Sequence, residues 1–347
     1  PNTVRWLEPG KLVLNINRAG RSGLYTLDSE TRDLTPLIEG DRAVTSFDLA
    51  NGALLYTAET PREPGELFVW QDGEERKLSA ANDAFMKRFK LATASEETVL
   101  ETSVDTRLSY WTLAPAKARK DGAVVLQVHG GPHTNYGYGF YLEFQILAAA
   151  GYRVVYGNPR GSSGYGSDYA TTLLTRYGTI DADDVLATVR HAVAEHPDAP
   201  VHLTGGSYGG FMTNWLVAHT NEFRSAVTQR SISNWLSFYG TSDIGYQFTE
   251  IEQGGNPWED TSRLWEQSPL KHVANVTTPL LILHADEDHR CPVEQAEQLY
   301  VALKRIGKAP TRLIRFPDEN HELSRSGRPD RRLERLNAIL DWFKQHP

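Results

Sequence analysis

The chain has 347 residues, which is enough for two domains, one of them with a complete α/β core. Its 36 Lys and Arg and 44 Asp and Glu residues give a formal net charge of -8, which argues against a nucleic-acid-binding surface. The single cysteine, Cys291, excludes an internal disulfide framework and a multi-cysteine metal site.

Residues 1–90 contain short apolar runs that recur. Lys11–Leu14 and Gly23–Leu27 return as Ala53–Tyr56 and Glu66–Trp70, with a period of about 42 residues, close to that of a β-propeller blade. We therefore interpret this region as about two blades of a partial propeller, the alternative being two unrelated hairpins. Two blades cannot close a ring, which typically needs at least about four.

Residues 91–347 alternate predicted strands with predicted helices, which is typical of a mostly parallel sheet covered on both faces. The predicted strands are Thr98–Ser103, Tyr110–Leu113, Ala123–Val128, Arg153–Tyr156, Val201–Leu203, Ser225–Thr228, Leu280–His284 and Thr311–Phe316. The predicted helices are Tyr141–Ala150, Ala182–Glu195, Tyr208–His219, Val293–Ile306 and Pro329–Lys344. The acidic run at residues 181–184 favours a helix N-terminus. A metal site is the sharper alternative, but no cluster of histidines or cysteines supports it.

The strand predicted at 123–128 runs into His129-Gly130-Gly131-Pro132. Glycines after this strand let the chain turn a backbone amide toward a substrate carbonyl, as one half of an oxyanion hole requires. An ordinary glycine-proline turn would explain the composition of this loop but not its position.

Gly205-Gly206-Ser207-Tyr208-Gly209 lies between a predicted strand and a predicted helix. This context favours a nucleophile elbow, with Ser207 as the nucleophile and the Tyr208 amide as an oxyanion donor. The alternative is a glycine-rich turn with a capping serine.

The next two polar loops supply candidates for an acid and a base, in the order that this fold requires. Asp286 and Asp288 follow one predicted strand, and only one of them can face an imidazole from an extended loop. His284 and His289 are too near these acids in sequence for a shared triad. His321 alone occupies the loop after the last strand, and we interpret it as the base.

The segment 231–270 is rich in aromatic residues and follows the strand predicted at 225–228. In this type of fold such an insertion overlies the nucleophile, so some of its rings can line a substrate pocket. We expect Trp235, Phe238, Tyr246 and Phe248 to do so, although they could only pack the insertion onto the sheet. Trp258 and Trp265 are expected only to pack.

Arg160 and Arg290 flank the same sheet edge and could bind a substrate carbonyl or carboxylate. The alternative for both is a structural ion pair that holds a loop, and this alternative is favoured.

Four motifs carry a resemblance to a known family: His129–Pro132, Asn158–Ser162, Gly205–Gly210 and Asp288-x-Arg290-x-Pro292. From about residue 90 onward the chain resembles the prolyl oligopeptidase family of serine peptidases, in particular its acylaminoacyl-peptidase-like branch. The resemblance implies an α/β-hydrolase fold. It also implies Ser207, Asp288 and His321 as the triad, with the Tyr208 and Gly131 amides as the oxyanion hole.

The resemblance implies a serine peptidase that acts on short peptides, of the oligopeptide exopeptidase type, without a cofactor or a metal. The alternatives are an esterase or lipase on the same fold, or a binding module without catalysis. The family carries a full propeller, so we interpret the chain as the C-terminal portion of a longer protein.

The missing blades, covalently attached or associated, would be a partner, and we expect a homo-oligomer. No run reaches the apolar length of a membrane helix and no signal-peptide pattern is present. We therefore expect a soluble, cytoplasmic protein with no membrane partner.

Overall fold

Two consecutive antiparallel meanders of four strands each begin the computed structural model, which describes residues 3–99 and 107–347. The first consists of β1 (Val4–Glu8), β2 (Lys11–Arg18), β3 (Arg21–Asp28) and β4 (Leu34–Ile38), and the second of β5 (Ala43–Ala50), β6 (Ala53–Thr60), β7 (Glu63–Gln71) and β8 (Glu74–Lys77). A short parallel pairing of Ser22 with Ala43 joins the two meanders.

The predicted repeat is confirmed, because β2 and β6 take the second position of their meanders and β3 and β7 take the third. Along β6, buried Leu54, Tyr56 and Ala58 alternate with more exposed residues, as expected for a sheet with one face on its core. The ring of Tyr56 stacks on Phe68 of β7. The assignment of these meanders to propeller blades stays a prediction.

A second sheet forms the centre of the rest of the chain, with strand order β16-β15-β14-β13-β11-β12-β10-β9. Its strands are β9 (Ala94–Val99), β10 (Leu108–Leu113), β11 (Val124–Val128), β12 (Arg153–Gly157), β13 (Val201–Ser207), β14 (Ser225–Ser231), β15 (Leu280–Ala285) and β16 (Thr311–Phe316). All pairings from β12 through β16 are parallel, whereas β9 and β10 are antiparallel additions at one edge. The predicted mostly parallel sheet is confirmed.

Helices cover both faces of this sheet. The described residues form α1 (Asp83–Arg88), α2 (Leu142–Ala149), α3 (Ser167–Thr171), α4 (Ile180–Ala192), α5 (Tyr208–His219), α6 (Trp235–Thr241), α7 (Gly245–Phe248), α8 (Thr261–Glu266), α9 (Val293–Ile306), α10 (Leu323–Ser326) and α11 (Pro329–Gln345), with a π-helical turn at Thr249–Gln253 and a 3₁₀ helix at Pro269–Asn275. One core contains buried side chains of α4, α5 and α9, and the other those of α2 and α11. Each face of the sheet therefore has its own hydrophobic core.

Local sequence signals set the ends of several elements. Helix α9 ends where Gly307 adopts a left-handed conformation with φ 72°, and α11 begins with Pro329 at its first turn. Both helices match the predictions closely, as does α5. Helix α4 begins two residues earlier than predicted and ends at Ala192 instead of Glu195. The predicted strand 98–103 overlaps β9 only at its start, and its remainder from residue 100 onward lies outside the described residues.

The parallel strands place the loops that matter for chemistry at one edge. The loops after β11, β13, β15 and β16 all leave the carboxyl ends of their strands, where ligands bind in open α/β sheets. Within the described ranges, no helix is both long enough and apolar enough to cross a membrane.

Candidate active site

Ser207 lies at the sharp turn between β13 and α5. Its backbone has φ 63° and ψ -121°, a left-handed conformation that is strained for a residue with a side chain. Glycines permit the turn, because a Cβ at Gly209 would collide with the carbonyl oxygen of Val128 and one at Gly205 with that of Gly209. The local geometry is that of a nucleophile elbow, as predicted.

His321 connects Ser207 to Asp288. Its Nε2 lies 3.1 Å from Ser207 Oγ, and its Nδ1 lies 2.8 Å from Asp288 Oδ2. The Asp288 carboxylate is 2 % exposed, and its Oδ1 accepts the backbone N–H groups of Arg290 and Cys291. The three side chains therefore form a continuous hydrogen-bonded chain with the acid held from the opposite side.

The other acid and base candidates have different partners. Asp286 pairs with Arg315, whose Nε lies 2.6 Å from Asp286 Oδ1. His284 is fully buried and its Nε2 donates to the carbonyl oxygen of Cys291 at 2.7 Å, and burial lowers the pKa of its imidazole. His289 is exposed. None of the three contacts Ser207 in the structure as described.

The loop that carries Gly131 packs directly on the elbow. A Cβ at Gly130 would lie 3.2 Å from the carbonyl oxygen of Gly206, and Gly131 itself has φ 111°, which favours glycine. His129 anchors the loop, since its Nε2 lies 2.9 Å from Ser162 Oγ. Burial lowers the pKa of His129 to about 4, so this imidazole is neutral at neutral pH. The loop is thus a fixed support for the Gly131 amide.

A cavity of about 820 Å³ opens beside Ser207, and part of its wall is aromatic. Trp235, Phe238 and Phe248 line it, together with Tyr177 and Ile232, and their role in substrate binding stays a prediction. Trp235 and Phe238 are fully buried, so these rings form a rigid wall.

Two aromatic predictions are wrong. Tyr246 is 63 % exposed and does not line the cavity, because it lies two residues from Phe248 on a one-turn helix and so points to the opposite side. Trp258 is 79 % exposed instead of packed, and its ring contacts that of Tyr239.

The two arginines differ in position. Arg160 is buried outside the cavity, where its guanidinium makes bonds of 2.8 and 2.7 Å to the two Asp184 carboxylate oxygens. Its prediction as a substrate-binding residue is therefore wrong, and the ion-pair alternative is right. Arg290 does line the cavity, with its Nε 2.7 Å from Asp243 Oδ1, and it remains a candidate for substrate contact.

The sequence analysis did not identify the charged part of the cavity wall. Arg335 pairs with Glu143 at 2.7 Å, and Arg230 Nη1 donates to the carbonyl oxygen of His321 at 2.8 Å. These residues come from elements far apart in the chain, so no local pattern marks them. The one available signal was the position of Arg230 at the carboxyl end of β14, next to the strand that carries Ser207.

The acidic run at 181–184 was correctly placed at the start of a helix, but its contacts were missed. Asp181 and Asp184 are both buried, and each is bound by a side chain from another element. The part of the chain that the structure describes holds no group of three or more side chains suited to a metal ion.

The sheet order, the elbow after β13 and the Ser-His-Asp chain define an α/β-hydrolase fold. Residues 138–347 match the model of the prolyl oligopeptidase family. The chain therefore belongs to this family.

The comparisons also place it near the acylaminoacyl-peptidase branch. The chain is 46 % identical over 335 residues to an uncharacterized peptidase, YuxL, of Bacillus subtilis, covering 94 % of this chain and 50 % of that protein. It is 34 % identical to the acylamino-acid-releasing enzyme of Rattus norvegicus, covering 97 % of this chain and 48 % of that protein. A crystal structure of Pyrococcus horikoshii acylaminoacyl peptidase superposes with a TM-score of 0.92 at 34 % identity, covering 99 % of this chain and 55 % of that one. The chain spans about half the length of the curated relatives it matches.

Proposed function

We propose that the chain hydrolyses short peptides through an acyl-enzyme on Ser207, with His321 as general base and Asp288 as the group that orients it. The observation that carries this proposal is the hydrogen-bonded series from Ser207 Oγ through His321 to Asp288, with distances of 3.1 and 2.8 Å. This is the arrangement of an activated serine nucleophile.

In the first half of the reaction, His321 Nε2 takes the proton of Ser207 as its Oγ attacks the peptide carbonyl carbon. Asp288 accepts the Nδ1–H of His321, which fixes the tautomer and stabilises the imidazolium. The backbone amides of Tyr208 and Gly131 donate to the oxyanion of the tetrahedral intermediate. The imidazolium then protonates the leaving amine, and the peptide bond breaks.

In the second half, a water molecule enters in place of the amine. His321 takes a proton from this water, which attacks the acyl-enzyme carbonyl, and the second tetrahedral intermediate uses the same two amides. Its collapse releases the carboxylic acid and returns the proton to Ser207.

We assign the aromatic wall of Trp235, Phe238 and Phe248 to the residue beside the scissile bond, because a rigid apolar wall favours an apolar side chain. The names of the rat and Pyrococcus relatives support an acylaminoacyl-peptidase type of exopeptidase. On this assignment, substrates carry a blocked N-terminal residue.

The test is hydrolysis of a peptide panel by this chain and by Ser207→Ala. The panel contains N-acetylated, free N-terminal and free C-terminal members with varied apolar residues at the scissile bond. Cleavage of N-acetylated members that is lost in Ser207→Ala supports the proposal. Cleavage confined to the other members would contradict the acylaminoacyl assignment but would still support a peptidase.

Two other functions are distinguished by the same reagents. Preferential turnover of esters matched to the peptides would support an esterase. Absence of cleavage together with absence of labelling of Ser207 by an organophosphonate would support a binding module.

A further inference from the structure

A buried carboxyl group that this mechanism does not use contacts the residue after the nucleophile. Asp181 is 0 % exposed and lies in the first turn of α4. Its Oδ2 accepts the hydroxyl of Tyr208 at 2.7 Å, and its Oδ1 accepts the N–H of Ala182 at 3.0 Å. The side chain of the proposed oxyanion residue is therefore tied to a different helix.

The ring of Tyr208 is also enclosed. It is buried, and the rings of Tyr177, Phe211 and His129 surround it at centroid distances of 5.7, 6.1 and 6.3 Å. Packing limits sideways movement of the ring, and the hydrogen bond to Asp181 limits its movement along the axis from Cα to the hydroxyl. The position of the Tyr208 backbone amide thus depends on both ends of the residue.

An oxyanion donor must lie about 2.7–3.1 Å from the position that the negative oxygen will occupy. A misplacement of about 1 Å caused by a change away from the reacting atoms can cost about 10²-fold in rate. Ser207 next to it is already held in a strained conformation, so the elbow needs support from the residues that follow.

The contacts around Asp181 do not indicate that its carboxyl group stabilises the fold. Asp184 on the same helix is a second carboxylate and is occupied by Arg160, and the hydroxyl of Tyr177 donates to Glu252 at 2.7 Å instead. Burial raises the pKa of Asp181 to about 7 although the Tyr208 hydroxyl bonds to it. A neutral side chain would fill the same space at lower cost. A carboxylate, however, is the stronger acceptor for a hydroxyl.

We propose that Asp181 is a positioning residue for the peptidase reaction, which holds the Tyr208 hydroxyl so that the Tyr208 amide stays directed at the oxyanion. This inference rests on the proposed function, because it assigns a role to Asp181 through the oxyanion hole.

The experiment measures kcat and KM for Asp181→Asn, Tyr208→Phe and the double variant on the best peptide of the panel. It also measures inhibition by a peptidyl trifluoromethyl ketone, whose hemiketal with Ser207 carries an oxyanion, and by the matching peptide alcohol, which carries none. We expect kcat to fall about 10- to 100-fold, less than the about 10²–10³-fold loss of a whole oxyanion donor. KM and the inhibition constant of the alcohol should stay within about twofold of the wild-type values. The inhibition constant of the ketone should rise by the same factor by which kcat falls. The kcat of the double variant should be no lower than that of the single variants, because each single change already removes the same hydrogen bond.

Tyr110→Phe is the matched control, because Tyr110 on the distant strand β10 is equally buried and its hydroxyl donates to Glu97 of β9 at 2.6 Å. Its kinetics should not change. Unchanged kcat in folded Asp181→Asn and Tyr208→Phe would overturn the inference, as would equal weakening of ketone and alcohol, which a merely structural role predicts. If Asp181→Asn does not fold, Tyr208→Phe tests the same bond. Wild-type protein that neither cleaves peptides nor reacts with the phosphonate would overturn the proposed function itself.

Discussion

Two carboxylates that contact neighbours of Ser207, one through Tyr208 and one through His321, are buried to almost the same depth, yet their environments differ. Asp288 in the loop after β15 is 2 % exposed and is bound by three N–H donors, from Arg290, Cys291 and His321. Asp181 at the start of α4 is 0 % exposed, and it has one hydroxyl and one N–H donor with a second acid nearby. The two acids therefore differ in the number of donors around the carboxylate rather than in depth.

Two further acids extend the comparison. Asp184 is buried but has the full counter-charge of Arg160, and Asp286 shares the partly exposed Arg315. The four acids therefore represent a proposed catalytic site, an ion pair in the core, a core position without a counter-charge and a surface pair. Each environment predicts a different response to the same change from Asp to Asn.

The largest effect is expected for Asp288→Asn. The amide keeps the shape but no longer fixes the His321 tautomer or stabilises the imidazolium, so kcat should fall about 10⁴-fold. Steady-state hydrolysis of the best panel peptide measures this. A loss of kcat of less than about tenfold would show that Asp288 is not the acid of the proposed triad.

Asp184→Asn should act on stability. It leaves the buried Arg160 guanidinium without a counter-charge, which we expect to lower the free energy of unfolding by about 3–5 kcal/mol. Urea denaturation measures the change. The paired variant Arg160→Met with Asp184→Leu is the control and should recover most of the loss; failure to recover would mean that packing, not charge, dominates there.

Asp181→Asn should alter the dependence of stability on pH. The native pKa of about 7 lies above the usual aspartate pKa of 3.8, so the native protein binds more protons between these values and this group destabilises it as pH rises. Asparagine does not ionise, so the variant does not lose stability in this way as the pH rises. Relative to wild type, the Tm of the variant should therefore rise by at least about 2 °C between about pH 5 and about pH 8. Differential scanning calorimetry tests this, and a pH-independent difference in Tm would contradict it.

Asp286→Asn should have the smallest effect. Because Asp286 and Arg315 are partly exposed, the free energy of unfolding should change by about 0–1 kcal/mol, with kcat within about twofold of wild type. Kinetics and urea denaturation on one preparation measure both. A large loss of kcat would show that Asp286, not Asp288, is the acid that serves His321.

Much of the architecture could be predicted because its signals are local. Strand and helix periodicity placed nearly all the elements of the second sheet, and parallel strands bring the loops that follow them to one edge. Ser207, Asp288 and His321 were for that reason expected to meet, and they do.

The failures come from information that is not local. The partner of Arg160 is a residue of the next long helix, and the side to which Tyr246 points depends on the orientation of a four-residue helix. The contact of Asp181 with Tyr208 joins the starts of two helices that are separated along the chain by β13. Such contacts depend on how whole elements pack, which no short motif specifies.

The backbone of Ser207 has a consequence for the history of such sequences. A left-handed, non-glycine residue costs about 1–3 kcal/mol, and the fold bears this cost only while a side chain is needed there. Glycine adopts the same conformation without the penalty. A descendant that is no longer selected for hydrolysis should therefore gain stability when glycine replaces this serine. Folding stability alone would then favour loss of the nucleophile, and the reverse substitution would cost stability.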